Sequence, residues 1–309
     1  MIEINKKVIS TLNKVEGFEN ITLNNCKIKR LGGMTNLVHL VETKKTNLIV
    51  RIPGKGTEEY INREIEYKNA SAAWRAGISA EIIWADVKEG VMISKAINEI
   101  ETMTPNLFSS RKGSPARAGH ALAKLHNSGE IFDFRFELFN MIDDYLKILS
   151  TKDVDLPEGY HDIVKAAEPV KVSLEANPIP LAPCHCDPLC ENFLDDGKNM
   201  WIVDWEYSGM NDPLWDLGDL SVEAGMNESQ ENEMLEAYFG KAPTSAQKGR
   251  VIIYKAMCDL LWTLWGLIQY ADKNPAEDFW AYSIERFDRC KALMQNSNFV
   301  KHIDAIKKN

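Results

Sequence analysis

The chain has few of the features that would settle its class at once. Six cysteines among 309 residues are too few for a disulfide-built scaffold, so reduced thiols are expected. Basic residues are outnumbered by acidic ones. The formal net charge of −9 argues against nucleic acid as a partner, because phosphate binding favours basic patches. That charge is compatible with a cationic substrate, although net charge speaks mainly to solubility. MIEINKKVISTLNKV spaces Ile4, Val8, Ile9 and Leu12 as a helix does, and lacks the apolar core and cleavage site of a signal peptide. The most apolar stretch, LLWTLWGLIQYA at 260–271, is too short to cross a bilayer. No membrane insertion is therefore expected, and the cytoplasm is the expected location. There is no internal repeat or low-complexity tract. No G-x4-G-K-[ST] occurs, which excludes a Walker-type phosphate loop.

What is present divides into two parts. NITLNNCKIKRL, NLVHLVETK and NLIVRIP read as strands, GTEEYINREIEYKNASAAWRAG (56–77) as a helix, and AEIIWADV and GVMIS as two further strands. This is a small β-rich region over 1–95. From 96 to 309 the pattern is mostly helical, with amphipathic segments at 116–129, 136–150, 229–239, 247–271 and 278–295. One helix is expected between the proline-containing edges of 157–180. At 183–204, two strand-like runs flank a loop. The expected fold is α+β and bilobal.

That loop reads CHCDPLCENF (184–193) and offers two chemistries. Cys184, Cys186 and Cys190 are spaced C-x-C-x3-C, whereas structural zinc usually takes two separated pairs, and Cys258 is far away. Buried packing explains the thiols better. The second reading is His185-x-Asp187-x4-Asn192, the aspartate-to-asparagine spacing of a kinase catalytic loop. A turn at Asp195-Asp196-Gly197 and the strand MWIV then return the chain to Asp204, so Asp187, Asn192 and Asp204 can converge. Phosphoryl transfer needs such a group. Asp187 would take the proton of an attacking hydroxyl, and Asn192 and Asp204 would hold Mg²⁺. The plainer reading is a structural Asx-rich loop. His185 would orient the loop, Asp216 would brace its backbone, and Asp212-Pro213 would form a turn. His126 would pack or cap a helix end.

HCDPLCENF followed by IVDWEYSGMNDPLWDLGDL resembles the choline/ethanolamine kinase family, within the aminoglycoside-phosphotransferase-like group of protein kinase-like folds. LGGMTN, LIVRIPG, INREIEYKN, ALAKLHNSG and LLWTLWGLIQ…AYSIERF extend the resemblance over nearly the whole chain. It implies ATP- and Mg²⁺-dependent transfer of phosphate to the hydroxyl of a small amino alcohol. Two departures are Pro188, where relatives carry an aliphatic residue, and Cys186, where they carry a small or polar one.

On the nucleotide side, Gly32 and Gly33 let a backbone turn approach phosphates, and Thr35 and Asn36 add polar contacts; a simple hairpin turn is the alternative. Arg51 stands where protein kinases place a phosphate-binding lysine, and the resemblance gives it Glu66 as partner, with Glu64 as a substitute. The backbone of Ser94–Ala96, in the presumed interlobe segment MISKA, is the candidate for adenine recognition. On the acceptor side, Trp262 and Trp265 share a helix face, which by itself is ordinary core spacing. The resemblance makes them, with Tyr282, an aromatic box for the substrate ammonium. Glu206 and Glu223 would supply negative charge. A sugar-like acceptor (aminoglycoside or methylthioribose), a catalytically inactive nucleotide-binding regulator, and a metal or redox role for the thiols are the alternatives.

Overall fold

Alternation of apolar residues builds the first lobe. In the computed structural model, which describes residues 2–32, 36–54 and 61–307, the strands β1 (Cys26–Arg30), β2 (Asn36–Thr43) and β3 (Asn47–Pro53) run antiparallel. Leu37 faces Ile52 across the pair, and Val41 faces Leu48. After helix α2 (Arg63–Arg75), β4 (Ile82–Asp86) and β5 (Val91–Lys95) complete a sheet of order β1-β2-β3-β5-β4. The N-terminal helix α1 (Ile2–Leu12) covers it, with Val8 and Leu12 packed on Val41, Leu48, Val50, Ile52 and Ile93.

Helix α2 starts at Asn62, whose side chain accepts from the amides of Glu64 and Ile65. Its alanine face, Ala70, Ala72 and Ala73, joins the core of the second lobe rather than that of the sheet. Asn69 Nδ2 donates to the Ser208 carbonyl at 2.9 Å, and Trp205 Nε1 donates to Ser79 Oγ at 3.1 Å. The helix thus ties the sheet to the segment carrying Asp204. MISKA differs from its sequence reading. Met92–Lys95 pair with β3, so the connection begins only after Lys95, because Val50, Ile52 and Ile93 bury together and pull these residues into the sheet.

The second lobe follows through β6 (Glu101–Thr102), α3 (Pro105–Ser110), α4 (Ser114–His126) and α5 (Leu138–Leu149). The single helix expected in 157–180 is two, α6 (Tyr160–Ala166) and α7 (Glu168–Ala176). Pro169 lacks an amide donor and starts a new helix rather than continuing the old one. Then come β7 (Ala182–Cys184), a 3-10 turn at Cys190–Asn192, β8 (Phe193–Asp195), β9 (Met200–Ile202) and β10 (Gly209–Asn211). β8 and β9 form the expected hairpin, with β6 beside it, and β7 pairs with β10.

Helices α8 (Leu214–Glu223), α9 (Glu228–Phe239), α10 (Ser245–Ala271), α11 (Phe279–Gln295) and α12 (Phe299–Ile306) complete the lobe. α10 opens with a reciprocal cap between Thr244 and Gln247, worth about 1 kcal/mol. It continues N-terminally well past the 260–271 run, making 27 residues, long and apolar enough to cross a membrane by length and composition. Its apolar surface is instead almost entirely buried against α5, α8, α11 and α12. Gly266 lets α11 come close: a Cβ there would sit 2.6 Å from Tyr282 Cδ1.

Candidate active site

The loop between β7 and β8 is held by one buried carboxylate. Asp216, on α8, accepts from the amide of His185 at 2.7 Å and from that of Cys186 at 2.8 Å. Trp215 Nε1 donates to the Cys186 carbonyl at 2.9 Å. These bonds hold Cys186 at φ +67°, a left-handed conformation that costs a side-chain-bearing residue about 1 kcal/mol or more. His185 bonds through Nε2 to the Val203 carbonyl at 2.9 Å, so that nitrogen carries the proton. His126 is more than a helix end: its Nε2 donates to Asp216 at 3.0 Å, and its Nδ1 accepts from the Tyr238 hydroxyl at 2.9 Å.

Bonds to the main chain bring the three predicted positions, Asp187, Asn192 and Asp204, near one another. Asn192 Nδ2 donates to the Asp187 carbonyl at 3.1 Å, and the Asn192 carbonyl accepts from the Val203 amide at 3.0 Å. Asp204 follows directly, itself at φ +69°. Burial, then the charge of Glu223, pushes the Asp187 carboxyl up to about 7, against the opposing pull of Arg286. Asp204 is also raised, first by burial and then by Glu206, with Arg51 opposing. Asp204 Oδ1 is buried without a hydrogen bond, 3.7 Å from the Arg51 guanidinium. The Asn192 amide nitrogen is committed to the Asp187 backbone carbonyl, which leaves its side-chain oxygen without that tie. An all-oxygen set of this kind suits a hard cation such as Mg²⁺.

Toward the sheet, β3 delivers Arg51 to Glu66 of α2, the predicted pair, and Arg51 lies 3.5 Å from Glu206. Arg63 bridges Glu66, at 2.8 Å, and Glu206. Glu64 is exposed and meets Lys68 at 3.3 Å. Glu206, expected on the acceptor side, is instead turned to the sheet lobe, where it also accepts from Asn36 Nδ2 at 3.0 Å. Burial would raise its pKa, but Arg51 and Arg63 outweigh burial and hold it low. Asn36 is therefore engaged with Glu206. Gly32 is exposed, while Gly33 and Thr35 lie outside the described residues. Ser94 sits in β5 opposite Ile49, and the Lys95 and Ala96 amides donate to Glu81 and Asn47 at 2.9 Å each. Those two donors are committed to the lobe itself.

On the other side of Asp187, α10 and α11 present the aromatic residues. The Tyr207 ring meets Trp262 edge-on at 5.4 Å, and Tyr282 meets Trp265 at 5.8 Å. The tryptophans are only 3% and 6% exposed, so they serve the core as well as any pocket. Trp262 Nε1 donates to Asp219 at 3.2 Å. Glu223 is ion-paired with Arg286 at 2.5 Å, and the Arg286 guanidinium lies 4.4 Å from the Tyr282 ring centre. Asp259 backs Arg286 at 3.3 Å and Arg289 at 2.6 Å.

A family model described as choline/ethanolamine kinase matches residues 28–252. The chain belongs to that family. It is similar over 99% of its length to a solved choline/ethanolamine kinase family protein from Mesorhizobium loti, with 54% identity, 99% of that chain covered and a TM-score of 0.89. The choline kinase LicA from Streptococcus pneumoniae is 26% identical, covering 94% of this chain and 99% of its own, at a TM-score of 0.79. A LicA structure in complex with AMP is 26% identical, with 98% of each chain covered and a TM-score of 0.74. The protein is thus a phosphotransferase with an alcohol acceptor, a kinase of choline or ethanolamine on a protein kinase-like fold.

For a choline/ethanolamine kinase the thiols have no evident part. Cys184, Cys186 and Cys190 are buried and free, and burial raises the pKa of each. Cys184 lies near His126 and Asp216, but those two are bonded to each other and to loop amides. Three residues of the acceptor side escaped sequence reading: Tyr207, Asp219 and Arg286. A signal for Asp219 was present, since Asp216, Asp219 and Glu223 recur at three- and four-residue spacing in the otherwise apolar LWDLGDLSVE.

Proposed function

We propose that the protein transfers the γ-phosphate of ATP to the hydroxyl of choline or a related amino alcohol, with Asp187 as the base. The observation that carries this reading is that Asn192 bonds both to the Asp187 main chain and, across the β8–β9 hairpin, to the Val203 amide next to Asp204. Asp187 would orient the acceptor hydroxyl and take its proton as the oxygen attacks phosphorus. Asn192 and Asp204 would hold Mg²⁺, which would supply positive charge against that developing on the transferred phosphate. Arg51, anchored by Glu66, offers a permanently charged fork to the phosphates. The glycine segment at 32–35 is proposed to face the nucleotide, and at 94–96 only backbone groups other than the committed Lys95 and Ala96 amides are left for it. Trp262, Trp265 and Tyr282, with Glu223, would receive the ammonium group. The aromatic pairs support an amino alcohol over an aminoglycoside or a thiosugar.

The test is a nucleotide-release assay on the purified protein with Mg-ATP and a panel of amino alcohols, aminoglycosides and methylthioribose. Turnover should require Mg²⁺ and be confined to the amino alcohols. Efficient phosphorylation of a sugar-like acceptor alone would overturn the assignment.

A further inference from the structure

Four carboxylates border the acceptor side, and three already have employment. Asp187 is placed as the base, Glu223 is paired with Arg286, and Asp259 is shared between Arg286 and Arg289. Glu206 is withdrawn among arginines of the sheet lobe. Asp219 is different. It is 1% exposed; one oxygen accepts from Trp262 Nε1 at 3.2 Å, and the other, Oδ1, is buried with no hydrogen bond. It stands one helical turn from Glu223 on α8, and its bonded indole packs on Tyr207, which follows Asp204 by three residues. The residue therefore lies where the aromatic side chains and the base meet.

We propose that Asp219 is a specificity-determining residue whose unbonded oxygen favours acceptors that keep an N–H on the charged nitrogen, the ethanolamine type. This rests on the amino alcohol reading above. A buried carboxylate oxygen without a donor is costly, and a charge-assisted hydrogen bond from an ammonium N–H removes that cost. A quaternary ammonium brings charge but only C–H groups. Oδ1 is buried, and in this proposal its donor is the N–H of an acceptor that enters the site. Burial first, and then the charges of Glu223 and Asp187, push the pKa of this carboxyl up, with Arg286 and the Trp262 bond opposing them. A site built around a hydrogen bond penalises the analogue that lacks it more than an apolar site penalises a missing methyl.

The experiment compares kcat/KM for ethanolamine, N,N-dimethylethanolamine and choline in the wild-type protein and in Asp219→Asn. The variant keeps the shape and an oxygen for Trp262 Nε1. Its ethanolamine-to-choline ratio should fall by about tenfold or more, with the KM for ATP unchanged. Equal loss with both acceptors, or no loss, would overturn the proposal. Should the variant fold poorly, the wild-type series decides: the largest drop should fall between dimethylethanolamine and choline, where the last N–H is lost. A steady rise through to choline would overturn it. Wild-type protein that phosphorylates none of the three would instead sink the amino alcohol reading itself, a result separable from failure of the Asp219 assignment.

Discussion

Buried charge is handled in opposite ways at the two ends of the cleft. Toward the sheet, the two guanidinium groups of Arg51 and Arg63 stand among the three carboxylates of Glu66, Asp204 and Glu206. Toward α10 and α11, Arg286 and Arg289 face the four acids Asp187, Asp219, Glu223 and Asp259. The first end is nearly balanced, so its geometry is set before a ligand arrives. The second holds two more acids than cations, and burial with mutual repulsion pushes Asp187 and Asp219 toward their protonated forms. It is ready for a cation. A phosphate carrier that brings its own metal and an acceptor that brings an ammonium group suit these two ends.

The comparison can be broken at its balanced end first. Arg51→Ala leaves Glu66 and Glu206 buried with one fewer cation, and losing a partner from such a network costs about 3 kcal/mol or more. The variant should melt well below the wild type, and the KM for ATP should rise about tenfold or more while the acceptor KM changes little. Comparable rises in both would mean that Arg51 supports the whole lobe interface rather than the nucleotide end.

At the acidic end, Trp262→Ala removes an aromatic face and the donor to Asp219. Cation–π attraction of about 2 kcal/mol corresponds to roughly a 30-fold rise in acceptor KM, with the KM for ATP nearly constant. Equal changes for both substrates would assign Trp262 to core packing alone. Gly266→Ala sharpens the point from behind, because its new Cβ would press on Tyr282 and Ser283. Acceptor KM should rise several-fold there too, without loss of any polar group.

A fully compensated acid away from both ends gives the smallest expected effect. Asp195 is clamped by Arg117 at 2.5 Å and Arg111 at 2.8 Å. Burial alone would raise its pKa, but these partners and the Gly197 amide hold it below the usual range. A depressed folded-state pKa means that the stabilisation is complete above the unfolded value, about 4, and disappears as pH falls through the folded one. Asp195→Asn should therefore lower the melting temperature at pH 7 by about 2–4 °C. The gap to wild type should narrow as pH drops below about 4. A gap that stays constant with pH would show that the clamp works through shape alone.

The course of the loop and hairpin was legible because it is local. Asp187 and Asn192 lie five residues apart, and a short hairpin necessarily returns Asp204 to them. Arg51 and Glu66 were paired through the family resemblance, and the structure joins them on a strand and the next helix. Glu206 was expected on the acceptor side from its place just after Asp204, but Arg51 and Arg63, remote in sequence, draw it to the sheet lobe. Asp219 and Arg286 were missed because their partners are remote: Trp262 is 43 residues from Asp219, and Arg286 is 63 from Glu223. The break within 157–180 followed from a single proline, Pro169, which the expectation of one helix between Pro157 and Pro178 passed over.

The most direct test of the central claim replaces one oxygen at position 187. Asp187→Asn removes the base and a buried negative charge together. Turnover should fall by roughly 10²–10⁴, nucleotide affinity should stay within about threefold, and the melting temperature should hold or rise. Near wild-type turnover would contradict the assignment of Asp187 as the group that accepts the acceptor's proton.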